Sequence, residues 1–177
     1  MHVDFVSSMR RLLCLAVLVV PVVGTAARAD PGYSILWRAA GAVQRAEPIW
    51  HFVTATVMNV PKLLDEELGV AGGGWRRPGE NGAEVHVSVM LHRVSSAQAI
   101  TRWMSDNLRR VRNDQWKLSP YDLGDRATLA TLDDTYRHVM QYELSFQRGK
   151  LLATVSGRSM PDVERLARYV LAEMKEQ

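Results

Sequence analysis

The chain has 177 residues, with 22 Lys and Arg against 19 Asp and Glu, a formal net charge of +3. At 47% hydrophobic and 23% charged it is too apolar for a disordered chain, and its length fits one domain. A single cysteine, Cys14, excludes both a disulfide framework and a thiolate zinc site.

Residues 1–29 read as a secretory signal peptide. Arg10 and Arg11 form a positive start, with Met9 a second candidate initiator besides Met1. Leu12–Val23 is an apolar run of 12 residues, against about 20 needed to span a bilayer. Ala27-Arg28-Ala29 offers small residues for cleavage. The expected product is residues 30–177, one exported domain in the periplasm or outside the cell. Cleavage takes away Arg10, Arg11, Arg28 and Asp4, leaving 19 basic and 18 acidic residues, a net charge of +1. That near-balance argues against nucleic-acid binding. No later apolar run reaches membrane-spanning length, so no span is expected after cleavage.

Ile35, Leu36, Ala39, Ala40 and Val43 recur at helical spacing, predicting a helix over residues 33–47 that Pro48 ends. Residues 50–58, rich in β-branched and aromatic side chains, read as a strand. Pro61 opens a short predicted helix, KLLDEEL, closed by Gly69. Residues 71–82, AGGGWRRPGENG, carry five glycines and read as a loop or inter-strand connection. Val85, Val87, Val89 and Leu91 alternate with His86, Ser88, Met90 and His92, which predicts a strand with its aliphatic residues buried. Ser95 or Ser96 caps a helix reaching about Arg112, with Ala97, Ile100, Met104, Leu108 and Val111 as its buried stripe. A loop is expected over residues 113–125. An antiparallel meander follows at 126–132, 136–147 and 150–157, turning at Asp133-Asp134-Thr135 and Arg148-Gly149. The last predicted helix, 161–175, presents Val163, Leu166, Ala167, Val170, Leu171 and Met174 to the sheet.

These elements predict an α+β fold. An antiparallel sheet of about five strands, with a C-terminal βαβββα unit, packs its one covered face against amphipathic helices. The run Leu123-Gly124-Asp125-Arg126-Ala127, leading to Phe146-Gln147-Arg148-Gly149-Lys150-Leu151-Leu152 and the terminal helix, resembles small secreted bacterial envelope domains of the PsbP/Mog1 type, an α-β-α sandwich. The resemblance covers residues 84–175 and carries no catalytic motif. It implies a binding or accessory role by fold analogy alone.

No nucleophile elbow, H-E-x-x-H, phosphate-binding loop or dinucleotide fingerprint occurs in the sequence. No catalytic residue is assigned, and no cofactor is expected. The leading expectation is an exported, non-enzymatic accessory or binding protein. It would engage a protein partner or small ligand through the 71–82 loop, with Trp75, Arg76 and Arg77, and through the exposed sheet face. Arg and Trp favour binding hot spots, and loops carry function more often than cores. Two alternatives stand beside it. His86, Met90 and His92 share one strand face and are soft enough donors for copper. By parity, His138 and Met140 point the other way. A hydrolase would pair Asp125 or Asp133 with His138, although Asp133 also suits a tight turn. Trp103, Trp116 and Tyr121 are candidates to line a pocket between helix and sheet, or to close the core edge.

Overall fold

A computed structural model describes residues 31–57, 67–111, 116–134 and 139–175. Its elements run α1 (Pro31–Ala46), β1 (His51–Val57), β2 (Glu67–Pro78), a 3-10 turn (Glu80–Gly82), β3 (Glu84–Val94), α2 (Ala97–Val111), β4 (Lys117–Tyr121), β5 (Arg126–Asp134), β6 (Val139–Arg148), β7 (Leu151–Gly157) and α3 (Met160–Glu173). The strands form one antiparallel sheet in the order β1-β2-β3-β7-β6-β5-β4. The fold is α+β, with seven strands among the described residues where about five were expected.

The two added strands carry the residues that sequence patterning penalises most. The supposed glycine-rich loop is largely β2, paired along its length with β3, from Gly69 opposite Arg93 to Pro78 opposite Glu84. Glycine is a poor strand former in isolation, but here a partner lies on each side, β1 and β3, and the ladder overrides propensity. Gly74 fits tightly, since a Cβ there would stand 3.0 Å from the Val87 carbonyl oxygen. Strand β4 contains Pro120, which is tolerated because β4 is the sheet's outer strand. Asp133 and Asp134 are not the turn; they still belong to β5, opposite Met140 and Val139. The signal segment 1–29 and residues 62–66 of the expected KLLDEEL helix lie outside the described residues, and its last two, Glu67 and Leu68, belong to β2.

Side-chain alternation divides the sheet into two faces. Ala71, Trp75, Val87, Val89, Leu91, Leu144, Phe146, Ala153 and Val155 point one way. They bury against Ile35, Leu36, Ala39 and Val43 of α1 and Val163, Leu166, Ala167 and Val170 of α3. The helical stripes and the period-two strand pattern therefore meet as the sequence predicts. The two helices are laced at their rims by Arg38 to Glu173 at 2.8 Å and Arg165 to Glu47 at 2.9 Å.

The expectation that one face carries all the helices is corrected. Helix α2 lies on the other side, where Ala99, Ile100 and Met104 pack on Val94 and Leu152, with Trp103 at the margin. Ser96 is its cap, accepting from the Ala99 amide at 3.3 Å, while Ala97 is exposed.

Candidate functional site

The predicted binding residues Trp75, Arg76 and Arg77 alternate along β2, so they cannot act as one patch. Trp75 is 1% exposed and belongs to the helix-packed core. It ends a chain of edge-to-face and tilted rings running Tyr33–Trp37–Phe52–Trp75, with centroids 6.0, 5.3 and 5.2 Å apart. Arg77 is on the same side. Its guanidinium donates to Asp162 at 2.8 Å and lies 5.2 Å over the Trp50 ring. Asp162 is itself buried in the first turn of α3, where Ser159 accepts from its amide at 3.4 Å. Arg77 thus neutralises a carboxylate placed for the helix dipole. Only Arg76 reaches the opposite, solvent-facing side, where it meets Glu84 at 3.5 Å.

The copper candidates share a face, as alternation requires, but do not converge. His86 and His92 stand six residues apart on a continuous strand, about 20 Å. Ligands of one ion sit within about 5 Å of each other. His86 is exposed and bonded to Glu84 at 2.7 Å. His92 is buried, its Nδ1 bonded to Glu67 at 2.5 Å, which ties β3 to the start of β2. Met90 is partly buried between them. Among the described residues no three His, Cys, Asp or Glu side chains gather around one point.

The hydrolase candidates separate as well. Asp125 is a turn fastener. Its carboxylate accepts from the Gly149 amide at 2.7 Å, and its own amide donates to the Gln147 carbonyl at 2.8 Å. Gly124 beside it takes φ +68°, and a Cβ there would lie 2.4 Å from that same carbonyl oxygen. Asp133 is exposed on β5, Met140 is exposed on β6, and His138 lies outside the described residues. The three aromatic pocket candidates do not share a pocket. Trp103, on α2, packs at the margin of the Val94–Leu152 cluster, Tyr121 packs against the α1/α3 core on the other side of the sheet, and Trp116 precedes β4.

What the alternation places on the second face is a field of short polar side chains. One row crosses the strands as Gly74, Ser88, Ser156, Glu143 and Ala130. The next reads Gly72, Met90, Thr154, Ser145 and Thr128. Ser88 and Ser156 share a hydrogen bond at 2.8 Å, and Ser145 and Thr154 share one at 3.0 Å. Beyond these rows α2 takes over, covering Leu152 and Val94, and Gln147 donates toward the Ala97 carbonyl.

Glu143 is the residue that sequence reasoning missed. It is half-buried, and among the described residues it makes no hydrogen bond and no ion pair. Burial alone holds its carboxyl above the usual glutamate range. The available signal was parity, because Leu144 and Phe146 inside the core force Glu143 to the other face. A lone acid in a strand nonetheless reads as an ordinary solvated charge.

No protein-family model matches the chain, and a search of curated proteins returns no match.

Proposed function

We propose that this is an exported, non-enzymatic binding protein whose open sheet face, rather than the 71–82 segment, receives a small ligand. The observation that supports the reading is Glu143. An unpaired, partly desolvated carboxyl on a face floored by glycine, serine and alanine is costly to keep for packing alone. It is useful where a partner group arrives. Of the two rows, Ser88 is exposed, whereas Ala130 and Ser145 toward β5 and β6 are buried, and α2 packs on the same face over Val94 and Leu152. Export is carried by the charged start, the short apolar run and the alanines at 27 and 29. N-terminal sequencing of the exported protein should begin at Asp30, and an intact Leu12–Val23 would overturn that part.

Amide-resolved NMR with pooled small metabolites tests the site. Binding should perturb residues 72–74, 88–90, 143–145 and 154–156 together. Perturbation restricted to α1 and α3 would overturn it.

A further inference from the structure

We propose that two copies of this chain pair along β1, edge to edge about a twofold axis, so that their sheets run on into one another. The inference is independent of the open-face reading. It begins with the contrast between the sheet's two outer strands. Among the described residues, β1 and β4 end the strand order. An outer strand offers amides and carbonyls to any other strand, and chains usually guard it with charge, proline or a bulge. Strand β4 is guarded. It is five residues long, KLSPY, with Lys117 for charge and Pro120 lacking an amide donor. Strand β1 reads HFVTATV, with no Asp, Glu, Lys, Arg or Pro. Its one irregularity lies between Phe52 and Thr54, and from Thr54 to Val57 it follows β2 in unbroken register.

Apolar surface gathers at the same edge. Of the five large hydrophobic side chains exposed among the described residues, three are Trp37, Ile49 and Val53, each about half exposed. Val53 is in β1 and Ile49 just precedes it. Trp37 reaches the edge from α1, its ring 5.3 Å from that of Phe52. One turn further along α1, on the same stripe, stands Gly41. A Cβ there would meet only the tip of the Arg45 side chain, at 3.4 Å, so no contact within the chain calls for a glycine. Glycine inside a helix is destabilising, and it allows another chain to approach the helix closely.

The occupant that fits is a second copy. Antiparallel pairing of β1 with itself sets no like charges opposite one another, because the strand carries no acidic residue, lysine or arginine. The alternative of β1 on the β4 edge of the next copy would grow into a filament, and Lys117 and Pro120 oppose it. Self-pairing therefore closes at two.

Sedimentation velocity of the exported protein tests this, with amide hydrogen exchange read over the same concentration series. The mass should reach that of two protomers. The outward amides of residues 51–57 should gain protection as it does, and those of 117–121 should not. Iodide quenching of Trp37 should fall over the same range. Val53→Lys places two like charges across the axis and should weaken the dimer about tenfold or more. Trp37→Ala should weaken it to a similar degree, as loss of a central aromatic contact does. Thermal unfolding checks that both variants fold, and the exchange pattern of the unaltered chain decides the matter if they do not. A single protomer's mass at about 100 µM, where even a micromolar interface is filled, overturns the inference. A dimer indifferent to Val53→Lys, protection gained at 117–121 instead, or growth beyond two copies also overturns it. So does full protection of 51–57 in the monomer, which would mean that the chain covers its own edge.

Discussion

The two faces of the sheet are built from the same strands and follow opposite rules. Toward α1 and α3, most inward positions of the central strands are aliphatic or aromatic and almost fully buried, from Trp75 and Val87 to Leu144 and Phe146. One residue over on each strand, the other face carries Gly74, Ser88, Ser156 and Glu143. Stability resides on the first face, where burial contributes about 25 cal/mol for each Å² removed from water. The second face has its own smaller buried cluster under α2, and away from it the short polar side chains bury less apolar surface. The adjacent pair Arg76 and Arg77 shows the rule at single-residue scale. One is an exposed side chain in a rim contact, and the other closes a buried carboxylate.

The largest expected effect lies on the packed face. Trp75→Ala should cost about 3–5 kcal/mol in chemical denaturation, because it empties the core between Phe52 and the α1 stripe. A loss below about 1 kcal/mol would mean that Trp75 is a surface residue after all. Next comes Arg77→Ala, expected to cost about 2 kcal/mol, since it strands Asp162 in a buried site that the helix dipole only partly compensates. Its neighbour Arg76→Ala should stay within about 0.5 kcal/mol. Equal costs for the two arginines would erase the distinction between the faces.

A smaller effect, of opposite sign, is expected at Glu143. Burial raises its folded-state pKa, so the folded chain holds this proton more tightly than the unfolded chain does. The stability linked to that proton is complete below the ordinary glutamate range and is lost as pH rises through the raised value. Glu143→Gln should therefore raise the thermal midpoint slightly near neutral pH, with the advantage vanishing in acid. A variant less stable at neutral pH would show that the carboxylate has a partner. Smallest of all, Ser88→Ala should change stability by less than about 0.5 kcal/mol, because the hydroxyl pair with Ser156 sits at an exposed strand position.

Much of the fold was legible where one period dominates. The alternation of residues 85–91 and the helical stripes of α1 and α3 depend on local geometry and on one buried side. They reappear in the structure residue for residue. Strand β2 was not legible, because its glycines carry no side-chain pattern and its stability comes from two neighbouring strands remote in sequence. Pro120 hid β4 in the same way, since only its outer position makes a proline acceptable. The side of the sheet taken by α2 was hidden too. Its apolar stripe says that it packs, but which face it finds is decided by Leu152 and Val94. The site was the least legible part. Glu143 acquires meaning only from what the fold puts beside it, and Trp75 and Arg77 lose their surface role for the same reason.

The ring chain from Tyr33 through Trp37 and Phe52 to Trp75 also gives the protein an optical signature. Rings held at 5.2–6.0 Å in fixed, tilted geometry couple their electronic transitions. The folded chain should thus show structured near-ultraviolet circular dichroism that collapses when α1 detaches from the sheet. Trp37 stands at the wet end of the chain, 49% exposed, while Trp50 and Trp75 are sealed. Iodide should quench Trp37 most, the partly exposed Trp103 and Trp116 less, and spare Trp50 and Trp75, so the unquenched emission reports on the interior beneath α1.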